Sequence, residues 1–133
     1  MPLNRTVIEP ANENLNVSRK LKIPHSPGIR AGDFLFLSGM VSVDPTNGER
    51  SHGTMAHETR QILENMRHLL ESNGSSLDRV VKVNVLLHDM LEFDNMNAVY
   101  REFFPTDAPA RTTCGVQLGF GLKIEIECVA LAS

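Results

Sequence analysis

The chain has 133 residues, of which 41% are hydrophobic and 22% are charged, and its formal net charge is -3 at pH 7. This length predicts one domain with a core that needs no disulfide or metal, and the composition excludes a disordered, collagen-like or coiled-coil chain. The small negative charge, without any block of lysines and arginines, argues against nucleic acid as a partner.

Signals for export or membrane insertion are missing from the sequence. The N-terminus, MPLNRTVIEPANEN, has no positively charged stretch that leads into an apolar run. No segment reaches the roughly 18 consecutive apolar residues that a membrane-spanning helix needs. We therefore expect a protein that is neither exported nor inserted in a membrane and that works in the cytoplasm.

The cysteines and histidines do not suggest a disulfide or a metal site. Cys114 and Cys128 are the only cysteines, and both lie in runs typical of strands, where a free cysteine acts as a small apolar side chain. The histidines show no zinc-binding spacing and no CxxC motif accompanies them; they are His25, His52, His57, His68 and His88. No metal is expected.

Two strands and one long helix are predicted in the first half of the chain. Residues 33–38 (DFLFLS) are an apolar, aromatic run that fits a buried strand, and residues 20–23 fit an edge strand. A Pro-Thr-Asn-Gly turn then leads into a helix over residues 54–72, where apolar side chains recur at helical spacing. An Asn-Gly pair provides the end of this helix.

A strand and a second helix follow. Residues 79–87 (RVVKVNVLL) alternate with period two and are rich in β-branched side chains, which predicts a strand with Val81 and the later valines on one face. Asp89 and Glu92 have the spacing of a capping box and begin a helix that Pro105 ends.

The tail predicts two more strands, over residues 111–118 and 122–131, with a Gly-Phe-Gly turn between them. These strands are expected to form a hairpin or to be neighbours in the sheet. The order of elements predicts the α+β class, with a single antiparallel or mixed sheet and two helices covering one face.

The last predicted strand carries two acids. Apolar residues fill one face of residues 122–131, whereas Glu125 and Glu127 lie on the other face together with Val129 and Leu131. A second subunit is the simplest partner for the two apolar residues on that face. From periodicity alone, the acids are either solubilising charges or include one carboxylate in a subunit cleft that handles a proton.

A family signature lies in this part of the chain, in residues 109–111 (PAR) and 123–127 (KIEIE). With Ser38-Gly39 after the buried strand and Asn97 in the second helix, it makes the chain resemble the RidA (YjgF) family of reactive-intermediate deaminases. The resemblance implies a chorismate-mutase-like protomer in a homotrimer, with an inner β-barrel and a ligand cleft at each subunit interface. Residues 1–133 are then one domain, and residues 1–17 are an N-terminal extension or edge strand.

The resemblance also implies an activity. Family members hydrolyse 2-imino acids, in equilibrium with 2-enamino acids, to 2-keto acids and ammonia without a cofactor; 2-iminopropanoate and 2-iminobutanoate are such substrates. Arg111 would bind the substrate carboxylate, for which a planar guanidinium is suited, and Glu125 would activate the attacking water. Gly39 would offer its backbone N–H to the carboxylate, while Ser38 and Asn97 would line the pocket.

Two positions depart from the family pattern. His25 stands where well-studied members carry a tyrosine that closes the pocket, and an imidazole there is expected to alter substrate preference. Thr113 holds the position of a family cysteine in the pocket. Cys114, one residue later, is expected to point to the opposite face of its strand and receives no catalytic role.

Two other functions remain open on the same scaffold. One is deamination of 2-aminomuconate in aromatic catabolism. The other is a regulatory trimer that binds a small metabolite through Arg111 without turnover, in which Glu125 would be dispensable for binding. Ribonuclease activity, which has also been attributed to the family, is not expected from an acidic chain without a basic, aromatic stripe.

Overall fold

A computed structural model describes residues 4–133 of the chain. The elements in chain order are β1 (Arg5–Ile8), α1 (Val17–Lys20), β2 (Gly28–Ala31), β3 (Phe34–Leu37), α2 (Met55–Glu71), β4 (Val80–Leu87), α3 (Phe93–Phe103), β5 (Ala110–Gly115) and β6 (Ile124–Leu131). The strands form one mixed sheet in the order β1-β2-β3-β6-β4-β5. Its neighbouring strands are antiparallel except for β4 and β5, which are parallel.

The two long helices, α2 and α3, pack on the same face of the sheet, which we call the covered face. Leu35, Val83 and Ile126 point to this face from three different strands and are fully buried against helix residues such as Leu63 and Met96. The helices form where the sequence predicts them, because apolar residues at helical spacing give each a continuous buried stripe. The α+β class, with one mixed sheet and two main helices, is confirmed.

The opposite face of the sheet, which we call the open face, carries Phe34, Phe36, Glu125, Glu127 and Val129. These residues lie on it because they alternate along β3 and β6 with the buried residues of the core. No helix covers them within residues 4–133, and the two phenylalanines are 41% and 46% exposed. The division of the sheet into these two faces decides where each candidate site residue lies.

The prediction that the last two strands are a hairpin or neighbours is wrong. β6 lies between β3 and β4, and β4 separates it from β5. β5 instead pairs with β4 in parallel, after α3 has crossed over the covered face. The predicted strand over residues 111–118 also stops earlier, at Gly115.

Two local predictions are also wrong. Residues 20–23 do not form a strand: Asn16 caps α1 by accepting a hydrogen bond from the backbone N–H of Arg19, and a turn follows the helix. The strand that precedes β3 in the chain and pairs with it is β2. In β4, an irregularity between Val80 and Lys82 turns Val81 outward, so that Val80 is buried in its place.

The N-terminal segment contributes an edge strand, since β1 pairs with β2, while residues 1–3 lie outside the described part of the chain.

Cys114 and Cys128 are free thiols, the first exposed and the second buried. Nowhere in residues 4–133 is there a helix with the length and apolarity to span a membrane, or a cluster of three metal-ligating side chains. A cytoplasmic location stays a prediction.

Candidate active site

Glu125 lies near the start of β6 with its side chain on the open face. Its carboxylate approaches Gly39 so closely that a β-carbon at residue 39 would collide with it. The residues next to Gly39 and Glu125 hold the two chain segments together, because Met40 and Ile126 exchange backbone hydrogen bonds of 2.7 and 3.0 Å. A side chain at residue 39 would therefore force the Glu125 carboxylate out of its present position.

The surroundings of Glu125 favour its protonated form. Partial burial raises the pKa of its carboxyl above the usual value, and the negative charge of Glu127, two residues along the same strand face, raises it further. A carboxylate with a raised pKa is better matched to taking up and returning a proton near neutral pH.

A cleft of about 450 Å³ brings Glu125 together with His25, Ser38 and Gly39. The Ser38 hydroxyl donates a 2.6 Å hydrogen bond to the carbonyl of Ser26, which ties the end of β3 to the preceding loop. The ring of His25 is oriented by the buried Ser18 hydroxyl, which lies 2.6 Å from Nδ1. Four of the predicted site residues therefore share one cleft.

A buried carboxylate fixes the start of the strand that carries Glu125. Glu58 of α2 is fully buried and accepts hydrogen bonds from the backbone N–H groups of Lys123, at 3.1 Å, and Gly53, at 3.2 Å. The Lys123 ammonium lies 3.7 Å from the same carboxylate and balances its charge. Glu58 thus joins α2, the loop before it and β6 at a point two residues from Glu125.

Arg111 lies on the edge strand β5 and points to the covered face, because its register partner is the buried Val83. Its Nη1 donates a 2.7 Å hydrogen bond to Oδ1 of Asn97 on α3. The guanidinium carbon lies 4.7 Å from the centre of the Tyr100 ring and 5.7 Å from that of Phe93. A hydrogen bond and two aromatic faces thus hold the guanidinium in place.

Two buried hydroxyls lie on the same side as Arg111. Within residues 4–133, the hydroxyls of Tyr100 and Thr113 have no hydrogen-bond partner. Burial raises the pKa of Tyr100 to about 12, although the charge of Arg111 acts in the opposite direction. The phenol is therefore a neutral donor, and a buried donor without a partner is costly unless a ligand or water meets it.

The two groups of residues lie on opposite faces of the sheet. Arg111 shares a row on the covered face with Val83 and Cys128, whereas Glu125 shares a row on the open face with Leu86 and Cys114. A small molecule held by Arg111 cannot reach Glu125 of the same protomer, because the sheet separates them. The predicted site residues thus form two half-sites: Arg111, Asn97 and Thr113 in one, and Glu125, Gly39, Ser38 and His25 in the other.

Sequence reasoning missed several residues around these half-sites. Tyr100 and Phe93 of α3 were not singled out as site residues, although their rings face the guanidinium of Arg111. Ser18, which orients His25, lies in a segment with no recognisable signal. Cys114 lies on the face opposite to Thr113, as alternation along the strand predicts, but its position in line with Glu125 follows from the register of three strands and has no local signature.

The fold and the half-sites define a class: small α+β proteins with a polar cleft and a separate arginine suited to an anionic group. Residues 18–132 match the family model described as endoribonuclease L-PSP, and the chain belongs to this family, which includes the RutC, YjgF and RidA proteins. The resemblance to the RidA family is therefore confirmed.

Individual relatives carry different names. The chain is 45% identical over 108 residues to a RutC family protein from Pyrococcus horikoshii, covering 80% of this chain and 86% of the relative. It is 36% identical over 109 residues to the 2-iminobutanoate/2-iminopropanoate deaminase of Homo sapiens, covering 81% and 80%. A solved structure of a Rid family protein from Yersinia pestis superposes with a TM-score of 0.84 at 28% identity, covering 96% and 98%. Deaminase activity is thus among the functions named within the family.

Proposed function

We propose that the chain is a deaminase that hydrolyses 2-imino and 2-enamino acids, such as 2-iminopropanoate or 2-iminobutanoate, to 2-keto acids and ammonia. It acts as a homotrimer with its active sites between subunits. The observation that carries this proposal is the position of Arg111 and Glu125 on opposite faces of one sheet. A site that uses both needs Arg111 of one protomer and Glu125 of its neighbour.

The apolar residues of the open face support the assembly. Val7, Ile29, Phe36 and Val129 are in register across four strands, and Phe34 lies opposite Leu131 in the next row. An apolar surface of this extent is usually covered by another protein surface. Packing the open faces of three copies together would bury it inside the trimer.

The Arg111 half-site would bind the substrate carboxylate. Asn97 and the aromatic rings hold the guanidinium so that its remaining N–H groups can make two parallel hydrogen bonds to a carboxylate. Tyr100 and Thr113 supply hydroxyls that lack a partner within residues 4–133. From the neighbouring protomer, Gly39 contributes a backbone N–H beside Glu125.

Glu125 would move the protons of the reaction. Water adds to C2 of the imine while the carboxylate accepts one of its protons, and that proton passes to the nitrogen to give a carbinolamine. Glu125 then transfers the hydroxyl proton to the nitrogen as the C–N bond breaks and the C=O bond forms. Both protons of the water end on ammonia, and the carboxylate is regenerated. With an enamine, the acid form of Glu125 first protonates C3, and the resulting carboxylate takes a proton from the nitrogen, which gives the imine.

A mixing experiment tests this composite site. Arg111→Ala and Glu125→Gln are each expected to lower kcat/KM by about 100- to 10,000-fold. When the two variants are unfolded together in equal amounts and refolded, about three quarters of the trimers contain both chains. Each mixed trimer has one intact site of three, so about a quarter of wild-type activity should return. Activity is measured by competition with semicarbazide for imines released by an amino-acid oxidase.

The control is a mixture of Arg111→Ala with the double variant Arg111→Ala/Glu125→Gln, which contains no intact arginine and should stay inactive. Recovery in this control, or none in the first mixture despite chain exchange, contradicts a site shared between protomers. A wild-type chain that binds 2-keto acids but never competes with semicarbazide is a metabolite-binding protein, and the deaminase proposal is then wrong.

A further inference from the structure

The cleft that contains Glu125 also contains two cationic side chains, Lys20 and Arg50, together with the ring of Phe120. The Lys20 ammonium donates a 2.6 Å hydrogen bond to the carbonyl of Asn47. The guanidinium carbon of Arg50 lies 4.2 Å from the centre of that ring. None of the ion pairs formed by residues 4–133 includes Arg50. Arg50 is thus a cation in the wall of the cleft that forms no ion pair with any of these residues.

Contacts with Ser42 and Val43 hold the backbone around Arg50 in place. Arg50 is bridged to Val43, and Ser51 donates a 2.9 Å backbone hydrogen bond to Ser42. In addition, the hydroxyl of the buried Ser42 donates a 2.8 Å hydrogen bond to the Ser51 carbonyl. The Arg50 side chain therefore extends from a loop that an isolated β-bridge and two hydrogen bonds hold in place.

Phe120 is held in an unfavourable conformation. Its φ of 61° lies in the left-handed region, which is unfavourable for a residue with a side chain. The ring is 73% exposed, so burial in the core does not offset this cost. Leu122 donates a hydrogen bond of 3.1 Å to Gly119 and closes the turn. The turn thus presents an aromatic face to Arg50.

One segment of chain connects this end of the cleft with Glu125. Gly39 contacts the Glu125 carboxylate, and Val43, four residues later, is bridged to Arg50. Four extended residues span at most about 14 Å, and the long side chain of Arg50 can shorten the gap to Glu125. Val41, between these two points, lines the cleft with an apolar side chain. The wall of the cleft therefore includes an acid, an apolar side chain and a cation that this short segment connects.

We infer that Arg50 and Phe120 form a subsite for a second carboxylate on the substrate, so that the preferred substrates are 2-imino or 2-enamino dicarboxylic acids. This inference rests on the proposed function. The carboxylate next to the imine is bound by Arg111, and the distal one accepts two parallel hydrogen bonds from Arg50. Phe120 holds the guanidinium flat on its ring, which limits the freedom that Arg50 loses on binding.

The test compares a dicarboxylate with a monocarboxylate in binding and in turnover. Calorimetry with 2-oxoglutarate and 2-oxobutanoate is expected to give roughly tenfold tighter binding of the diacid to the wild type, as one charge-assisted hydrogen-bonded pair can supply. Arg50→Ala should abolish this preference, while Arg79→Ala, at an exposed arginine outside the cleft, should keep it. In the oxidase assay, Arg50→Ala should slow deamination of the glutamate-derived imine about tenfold and change the alanine-derived imine less than twofold.

The possible results show whether the dicarboxylate subsite or the deaminase proposal is wrong. Equal affinity for the two acids, or a preference that survives in Arg50→Ala, overturns the dicarboxylate subsite. If the wild type hydrolyses the alanine-derived imine without preferring the diacid, only the subsite is wrong. If a leucine-derived imine is preferred to both, the far end of the cleft binds apolar side chains through Phe120. If no imine is hydrolysed but Arg50-dependent diacid binding is found, the subsite stands and the deaminase proposal is wrong.

Discussion

The two faces of the sheet are built from the same strands, but helices cover only one of them. On the covered face, Leu35 and Leu37 of β3 pack under the helices, and nothing more is needed for a core. On the open face, Phe34 and Phe36 of the same strand remain partly exposed. The difference shows that alternation along one strand can supply apolar residues both to a closed core and to an exposed surface.

The two half-sites follow the same division. On the covered side, Asn97 and Tyr100 hold the guanidinium of Arg111 in one orientation. A fixed guanidinium is suited to binding an anionic group of matching shape. Glu125 on the open side lies in a cleft, where partial burial and Glu127 raise its pKa. The roles proposed for Arg111 in binding and for Glu125 in proton transfer therefore fall on different surfaces, and we expect each to respond to different substitutions.

The largest effect on stability is expected on the covered face. Leu63→Ala should lower the free energy of unfolding by about 2–5 kcal/mol, because it leaves a cavity in a closely packed core. Leu91→Ala removes the same atoms from a side chain that is 91% exposed and should change stability by less than about 0.5 kcal/mol. Urea denaturation of both variants checks the comparison, and equal effects would contradict the assignment of the core.

The next effect is on assembly. Phe36→Asp places a charge in the middle of the open face, and burying an unpaired carboxylate between subunits costs several kcal/mol. Light scattering at micromolar concentration is expected to show a mass of three protomers for the wild type and a smaller species for the variant. Ala56→Asp, on an exposed position of α2, is the matched control and should remain trimeric. A wild type with the mass of one protomer would be evidence against the trimer.

The smallest effect is on pH dependence. Glu125 must be ionised to accept a proton from water, so kcat/KM should fall as the pH decreases through its pKa, with a midpoint above the ordinary value of 4.5. Glu127→Gln removes one of the two causes of the raised pKa and should move this midpoint to lower pH. A midpoint that does not move would show that Glu127 has no influence on Glu125.

The same shift has a consequence for stability. Because folding raises the pKa of Glu125, the group contributes stability that is fully present below about pH 4.5 and lost as the pH rises through the folded pKa. Glu125→Gln should therefore be more stable, relative to the wild type, at pH 7 than at pH 4. Urea denaturation of both proteins at the two pH values measures this difference, which an unperturbed carboxyl would not produce.

The sequence predicted those parts of the fold that depend on local patterns. Helix α2 was expected over residues 54–72 and runs over Met55–Glu71, because its cap at Thr54 and its apolar stripe are properties of one segment. β4 was found for the same reason. The pairing of β5 with β4, and the place of β6 between β3 and β4, depend on contacts between distant segments that no local pattern encodes.

The candidate site divides in the same way. Arg111 and Glu125 could be named from the family resemblance, whereas their separation by the sheet follows only from the register of β4 with its two neighbours. The contact between Arg50 and Phe120 joins two loops 70 residues apart in sequence, and neither loop has a pattern that predicts it. The sequence could therefore identify individual site residues, but it could not predict which of them lie close together in the fold.

The central position of β6 also has a consequence for synthesis on the ribosome. β6 is the last strand to be made, yet it joins β3 on one side to β4 on the other. Until residues 124–131 have left the exit tunnel, the two parts of the sheet have no common neighbour and their apolar edges stay unpaired. The nascent chain should therefore complete its sheet late, and a chaperone that shields β3 and β4 during translation would protect it from aggregation.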